Sequence, residues 1–231
     1  MLFLSLAFAV SAAPEKNGKT NATPPAAAKD TPVYKQPMRG APSSRVGGGT
    51  RGDDGSGSVV LTVLAPEHTG RTSKDQPALY WYISKPVNTH VELTVIDEVS
   101  VKPLLETNVA IPSRAGIQSL RLTDHGVRLK PGVEYQWSAA LVTDQAQRSN
   151  DVVSSGTIAY VVPPADLKQR LAQTNPETLA FIHAEAGYWY DAIESLSKLI
   201  EAQPHNRRWK EQRASLLEQV ALPEAAEYDR R

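Results

Sequence analysis

Ala78-Leu79-Tyr80-Trp81-Tyr82-Ile83 is an unbroken run of apolar and aromatic residues that ends at a proline on each side, Pro77 and Pro86. Short runs rich in aromatic and β-branched side chains, bounded by such residues, predict buried strands. The next segment, Val91–Asp97, alternates apolar and polar residues, as expected of a strand with one face in a core. Together the two segments indicate a β domain.

The flanking sequence continues the same pattern. In residues 134–142, Tyr135 and Trp137 share one face of a predicted strand. Further short strands are predicted at residues 59–64, 104–111, 117–122 and 152–162. Seven short strands separated by turns, without a helical period, predict an immunoglobulin- or fibronectin-like β-sandwich over residues 58–163.

The composition changes at Pro163-Pro164, after which the strong helix formers Ala, Leu, Glu, Gln and Arg dominate. Helices are predicted over residues 165–172, 176–186, 189–202 and 206–220, followed by a tail at 223–231. The spacing of a small set of residues matches the second half of a tetratricopeptide repeat: Gly187, Ala192, Leu196, Leu199, Pro204 and Asn206. A single repeat-like hairpin within residues 164–222 cannot bury its apolar stripe alone. It must pack on the sandwich, on a second copy, or on a partner.

The helical region is the leading candidate for a protein-binding surface, centred on residues 184–206. The predicted partner-binding residues are Tyr188, Trp189 and Asp191 at the hairpin turn and Trp209 in the following helix. Large aromatic side chains contribute much of the binding energy at protein interfaces. The alternative is that the same side chains only pack inside the molecule.

A second hypothesis is a module that binds carbohydrate or cell-wall glycan. Trp81 and Trp137 are the possible ligand aromatics, because a row of exposed rings can stack on sugars. Alternation along a strand places Tyr80 and Tyr82 on one face and Trp81 on the other. In a sandwich one of those faces is core, so only part of the aromatic set is available to a ligand.

Composition excludes several classes of function. Lys plus Arg and Asp plus Glu both total 25, so the chain has no global field that would attract nucleic acid. The absence of cysteine excludes thiol catalysis, disulfides and cysteine-based zinc sites. The 231 residues are enough for one or two domains.

No catalytic or ligand-binding motif is present in the sequence. The histidines are far apart, and there is neither an HExxH pattern nor a Gly-x-Ser-x-Gly elbow. We therefore expect a non-catalytic protein with no metal and no cofactor. A third hypothesis is an enzyme with a dispersed carboxylate site, drawn from acids near the predicted strand ends: Asp97, Glu98, Asp144 and Asp151.

The first residues predict export. Residues 2–10 form an apolar run of signal-peptide length, and Val10-Ser11-Ala12 has the small residues that favour cleavage after Ala12. The run is shorter than the roughly 20 residues that a membrane span needs. We therefore predict a signal peptide at 1–13 and a periplasmic or secreted mature protein. The alternatives are a buried N-terminal strand and a true start upstream.

Residues 14–57 are rich in Pro, Gly, Lys, Ala and Ser and predict a flexible tether. Within it, Arg45-Val46-Gly47-Gly48-Gly49-Thr50-Arg51 is reminiscent of a phosphate-binding loop. The Lys-Ser/Thr pair that opens a helix in such loops is missing, and Asp53-Asp54 follows. A hinge, or a segment that docks on the folded part, is the favoured interpretation.

These motifs together resemble the bacterial domain-of-unknown-function family 928. The similarity extends over residues 45–222, and its most specific parts are the glycine-rich segment at 45–51 and Ala184-Glu185-Ala186-Gly187-Tyr188-Trp189-Tyr190-Asp191-Ala192. Further similar segments are residues 76–82, 96–98, 116–120, 135–137, 141–144 and 148–151. The resemblance implies an exported protein of β and helical parts and implies no established activity.

One departure from the family pattern bears on the compartment. Members of the family often have a cysteine shortly after the glycine-rich segment and another where this chain has Thr143. Both are missing here. The resemblance implies that the two form a disulfide in other members, which is consistent with an oxidising compartment.

Overall fold

The computed structural model describes residues 31–37, 45–49, 59–112 and 114–231. The predicted signal peptide at 1–13 and most of the predicted tether at 14–57 lie outside these residues. In the described part the chain is a mixed β and α structure with two sheets and a helical layer.

The described residues contain nine strands. They are β1 (Gly48–Gly49), β2 (Val60–Val63), β3 (Gly70–Thr72), β4 (Ala78–Ile83), β5 (Val91–Asp97), β6 (Pro103–Val109), β7 (Gly116–Arg121), β8 (Glu134–Leu141) and β9 (Val152–Tyr160). One sheet has the order β1-β2-β4-β7 and the other the order β3-β9-β8-β5-β6. Neighbouring strands are antiparallel except for β3 and β9, which are parallel.

The two sheets pack against each other, with β2 of the four-stranded sheet in contact with β8 and β9 of the other. The packing is tight at Gly156, where an added Cβ would lie 2.4 Å from the Cβ of Ala65, just after β2. The core between them contains Trp81 from β4 and Trp137 from β8. In β8, Trp137 lies opposite Val95 of β5 and Gly156 of β9. The missing side chain of Gly156 leaves room for the indole ring of Trp137.

All seven predicted strands are present, but a seven-stranded immunoglobulin-like sandwich is not confirmed. The two additional strands, β1 and β3, are short and contain glycine, a residue with low strand propensity. At Gly70 of β3 the glycine is required by packing, because a Cβ would lie 2.6 Å from the Tyr190 ring. Neither strand therefore has the apolar pattern by which strands are predicted.

Five helices follow the sheets, and two short 3-10 turns (Leu122–His125 and Arg148–Asn150) lie between strands. The helices are α1 (Ala165–Ala172), α2 (Pro176–Glu185), α3 (Trp189–Ala202), α4 (Arg207–Gln219) and α5 (Pro223–Arg230). The first four match the predicted helices, whereas the predicted tail at 223–231 is largely helix α5. Among the described helices, none has the length and apolarity needed to cross a bilayer.

Gly187 makes the tight connection between α2 and α3. Its φ of 79° lies in the left-handed region, where glycine has no steric penalty. An added Cβ would also lie 3.0 Å from the backbone oxygen of Lys35. The glycine predicted at the hairpin turn is thus needed both for the turn and for the close approach of the N-terminal segment, residues 31–37.

Helix α3 packs directly on the sheets. Its apolar residues Trp189, Ile193 and Leu196 belong to the same buried cluster as the strand residues. Trp189 Nε1 donates a hydrogen bond to the backbone oxygen of Leu64, at 2.8 Å. Of the three possibilities left open by the sequence, the hairpin thus packs on the sandwich.

The glycine-rich segment docks on the folded part, which is one of the two interpretations that the sequence favours. Arg45 donates hydrogen bonds to the backbone oxygens of Val220 and Ala221 just after α4, at 2.9 and 2.8 Å, and to that of Ala65 after β2. Val46 pairs with Ser155 of β9 as an isolated bridge. The segment therefore joins both sheets to the end of α4.

Candidate functional site

The predicted partner-binding residues are buried. Tyr188, Trp189, Asp191 and Trp209 are at most 4% exposed. A side chain that contributes to an interface must be accessible before the partner arrives. These four residues therefore offer no binding surface in this structure, and the hypothesis that placed the site on them is corrected.

Each of the four has an internal role instead. Trp189 and Tyr188 lie at the start of α3, where Trp189 hydrogen-bonds to the segment after β2. The Asp191 carboxylate accepts hydrogen bonds from the backbone N–H and the hydroxyl of Ser73, at 2.8 and 2.6 Å. Trp209 Nε1 donates to Gln203 Oε1 at 3.2 Å. All of these contacts hold the helices to the sheets or to one another.

The possible ligand aromatics are also buried. Trp81 is 2% exposed and Trp137 is fully buried. Trp137 Nε1 donates to the hydroxyl of Tyr190, at 2.8 Å, and that hydroxyl donates to the backbone oxygen of Thr157, at 2.9 Å. Neither ring can stack on a sugar while the core is closed, so the glycan hypothesis loses the residues that supported it.

His183, Ser195 and Asp191 lie together in a way that invites comparison with a hydrolase triad. Ser195 Oγ donates its proton to the backbone oxygen of Asp191, at 2.7 Å, so it accepts from His183 Nδ1, at 3.2 Å. The Asp191 carboxylate is already paired with Ser73. The serine proton is thus engaged by the Asp191 backbone and the Asp191 carboxylate by Ser73, so the three side chains are not arranged as a Ser-His-Asp relay.

Burial lowers the pKa of His183, and Lys74 lowers it further, whereas Asp191 and Glu194 oppose the shift. The ring is therefore held neutral at neutral pH. In the described part of the chain, no group of three or more His, Asp or Glu side chains is arranged to hold a metal ion.

An open cleft lies between the four-stranded sheet and the helices. Its volume is about 600 Å³, with the β6–β7 connection and β7 on one side and α3, α4 and α5 on the other. Ile111, which is 53% exposed, lies at one margin. Helix α5 contacts β7, and the Tyr228 hydroxyl donates to the backbone oxygen of Ala115, at 3.0 Å. Glu201 of α3, which also lines the cleft, lies 3.8 Å from Arg121 of β7.

Strand β7 lies at the edge of its sheet, and residues 116–119 of this strand line the cleft. It pairs with β4 on one side, and no other described strand pairs with it. The N–H of Leu122 donates to the oxygen of Pro77, which fixes the alternation of the antiparallel ladder. By that alternation, the backbone N–H and C=O groups of Ile117, Ser119 and Arg121 point away from β4.

The floor of the cleft is a buried polar network. Arg213 of α4 makes a bidentate ion pair with Asp229 of α5, with N···O distances of 2.7 and 2.6 Å, and its Nη1 donates to Ser197 Oγ at 2.8 Å. The hydroxyl of Tyr80 also lines the cleft. Burial, together with Glu194 and Glu201, raises the pKa of Tyr80 to about 12. The floor is therefore rigid and polar.

A second cavity of about 590 Å³ continues the cleft past the start of α4, and Pro204, Lys210 and Asp229 line both. Among the described residues, seven Lys or Arg and three acidic side chains line the two cavities. Arg213, Arg230 and Arg231 already form ion pairs, with Asp229, with Glu211 and Glu218, and with Glu227 respectively, so the local positive charge rests mainly on Lys210 and Arg114. The cleft suits a ligand with negative charge.

The sequence offered little signal for this site. Residues 117–122 were predicted as a strand, but the pattern of one strand does not reveal whether it lies at a sheet edge. The opposite wall depends on α5, which the sequence suggested only as a tail. The basic residues are spread through Arg114, Lys210 and the last two residues, and only the fold brings them together.

Comparisons with known proteins identify a family for this chain but no activity. The family model described as Domain of Unknown Function (DUF928) matches residues 46–229. Among curated proteins no sequence matches the chain. A solved structure described as a multi-domain immunophilin from Arabidopsis thaliana aligns with 84% of this chain and 98% of its own, at 8% identity and a TM-score of 0.17. A similarity at that level carries no argument about fold or function.

Proposed function

Because the chain belongs to the Domain of Unknown Function (DUF928) family, whose description names no activity, we propose a function from its cleft. The protein is a non-catalytic, exported component of the cell envelope that binds another protein. The open edge of β7 within the cleft is the observation that carries this proposal.

An exposed strand edge in a closed fold has a specific physical meaning. Its free N–H and C=O groups favour pairing with another chain, and proteins usually cover or shorten such edges. Here helices α3 and α5 flank the edge of β7 without pairing to it, and a cleft remains between them. That arrangement limits access to one partner segment at a time and protects the edge from aggregation.

Export is the second part of the proposal. It is supported by the apolar run at residues 2–10 with small residues before Ala12, by the absence of cysteine, and by the family resemblance. Fractionation of source cells, followed by N-terminal sequencing of the protein, tests it. A mature chain that begins near Ala13 and lies outside the cytoplasm is expected. An uncleaved cytoplasmic chain would contradict it.

Site-specific photo-crosslinking tests the binding function. A photoreactive amino acid replaces the exposed Ile111 at the cleft, and the full-length protein is irradiated in envelope extracts of the source cells. We expect a discrete crosslinked protein, identified by mass spectrometry, because a bound segment in the cleft would lie beside this position.

The matched control places the same photoreactive residue at Lys168, an exposed lysine of α1 away from the cleft. Crosslinks of the same partners from both positions would indicate nonspecific contact and contradict the proposal. A truncated protein that ends at Pro163 and lacks the helices cannot serve as the control in this experiment. Removing the helices would expose the strand residues that share their buried cluster.

A further inference from the structure

We propose that the cleft takes an extended, acidic segment of a partner protein, which adds to the four-stranded sheet as a strand beside β7. This inference rests on the proposed protein-binding function and specifies its chemistry. It joins two independent observations, the open backbone edge and the local positive charge.

The backbone of β7 supplies the recognition. Ile117, Ser119 and Arg121 present N–H and C=O groups on the cleft side at two-residue spacing, which is the repeat that an added strand requires. Main-chain hydrogen bonds of this kind give affinity, while side-chain pockets give specificity. The backbone oxygen of Ala115 already accepts a hydrogen bond from the Tyr228 hydroxyl, so the added strand would end before Ala115.

The charge of the walls selects the partner. Within the described structure, no acidic side chain lies within ion-pair distance of Lys210 or Arg114, which line the cleft from opposite sides. Arg213 is already neutralised by Asp229. An incoming segment with Asp or Glu at alternate positions, which share one face of a strand, would therefore pair its backbone with β7 and its carboxylates with Lys210.

A second copy of this chain is a poorer occupant. Strand-to-strand association of two copies through β7 would be symmetric and would bring two sets of cationic walls together. Like charges facing each other across an interface oppose binding. An acidic partner meets no such repulsion, so the charge of the cleft favours it over self-association.

Synthetic peptides test the inference with the full-length protein. The first probe is a fluorescent peptide of about eight residues that alternates Glu and Val, a length that matches ordinary strands. The second replaces each Glu with Lys. The third keeps Glu and Val but carries N-methyl groups on alternate residues, which removes the hydrogen-bond donors that would face β7.

We expect the acidic peptide to bind at low ionic strength, and the basic and N-methylated peptides to bind at least about tenfold more weakly. Fluorescence anisotropy measures the affinities. Binding should weaken with added salt, because part of the attraction is electrostatic. In NMR spectra of the full-length protein, the amide signals of Ile117 and Ser119 should shift on addition of the acidic peptide.

Two pairs of variants link the binding to the cleft. Ser119→Pro removes one outward N–H, whereas Ser119→Ala keeps it, so only the proline variant should bind at least about tenfold more weakly. Lys210→Glu reverses a charge in the cleft and should weaken binding, whereas Lys168→Glu, on α1, should not. Circular dichroism and thermal unfolding confirm that each variant is folded before its affinity is compared.

The outcomes are distinct. Equal binding of the acidic and basic peptides, full binding of the N-methylated peptide, or no binding of any peptide would overturn the inference. A wild-type dimer that Ser119→Pro converts to a monomer, in analytical ultracentrifugation, would also overturn it and assign the edge to a second copy.

If photo-crosslinking captures a protein but these peptides fail, the binding function stands and only this chemistry is wrong. If the peptides bind but no protein is captured, the proposed function fails and the chemistry of the cleft stands.

Discussion

Trp189 connects the two parts of the molecule through a single side chain. Its ring is fully buried, meets the ring of Tyr34 edge-on with 5.0 Å between centroids, and hydrogen-bonds to the segment after β2. It therefore touches the N-terminal segment, the sheets and α3 together. Its burial is the reason why an aromatic residue that looks like a binding group in the sequence is a packing residue.

Truncation of this ring should be strongly destabilising. We expect Trp189→Ala to lower the free energy of unfolding by about 3–5 kcal/mol, because a large cavity replaces a buried ring. Urea denaturation followed by circular dichroism measures the change. Lys168→Ala, an exposed control, should change stability by less than about 0.5 kcal/mol. A similarly small effect for Trp189→Ala would show that the ring does not support the core.

His183 should make the protein less stable in mild acid. Its pKa in the folded state is lowered from 6.5, first by burial and then by Lys74. Below pH 6.5 the unfolded chain therefore binds a proton that the folded chain resists, so the free energy of unfolding falls as the pH drops. Asp191 and Glu194 oppose the shift, and His68, whose pKa is also lowered by burial, contributes with the same sign.

Urea denaturation at several pH values between neutral and mildly acidic checks this prediction. His183→Gln should flatten the decline in stability, though not abolish it while His68 is present. His125→Gln, a substitution at an exposed turn, should leave the slope unchanged. The same slope in His183→Gln as in the wild type would contradict the assignment.

At the scale of elements, a buried ion pair links α5 to α4. Arg213 of α4 and Asp229 of α5 form a bidentate pair at the floor of the cleft, with both side chains almost fully buried. Breaking a buried pair from one side leaves an uncompensated charge. The pair therefore contributes strongly to the attachment of the last helix, together with the buried Ala225 and Ala226 and the Tyr228 hydroxyl that donates to Ala115.

We expect Asp229→Leu and Arg213→Met to lower the free energy of unfolding by about 3–5 kcal/mol each. The double variant should recover a large part of that loss, because neither charge is left unpaired. A double-mutant cycle from urea denaturation measures the coupling. Arg207→Ala, at the exposed start of α4, should have little effect. Additive losses in the double variant would show that the two residues do not act as a pair.

Arg45 makes a comparable connection for the glycine-rich segment. Three backbone oxygens accept its guanidinium hydrogen bonds, and two of them follow the end of α4. Arg45→Ala should lower the free energy of unfolding by about 1–3 kcal/mol, because it leaves these partly buried acceptors without a donor. Arg45→Lys should recover only part of the loss, since one ammonium cannot reach all three. Equal stability of the wild type and Arg45→Ala would show that the contact is dispensable.

At the scale of the whole molecule, the sheets and helices share one buried cluster. We therefore expect a single unfolding transition, with tryptophan fluorescence and far-ultraviolet circular dichroism changing at the same urea concentration. All four tryptophans of the chain are buried, and they lie in both the sheets and the helices, so fluorescence reports on both parts. Two separate transitions would show that the helices unfold independently of the sheets.

The sequence predicts the elements of this molecule better than their arrangement. Strands such as Ala78–Ile83 and helices such as Trp189–Ala202 have local patterns that identify them. The order of strands in a sheet depends on contacts between distant residues, which no local pattern contains. The edge position of β7 and the approach of α5 belong to this second class, so the cleft could not be predicted.

The N-terminal segment also sets a limit on when folding can finish. The backbone N–H of Tyr34 bonds to the side chain of Gln219, 185 positions later in the chain. Contacts this far apart close late, because the intervening chain must first be synthesised and ordered. A ribosome would therefore release the chain before its earliest docked residues find their place. For the exported protein that we propose, this delay keeps the chain incompletely folded until its synthesis is complete.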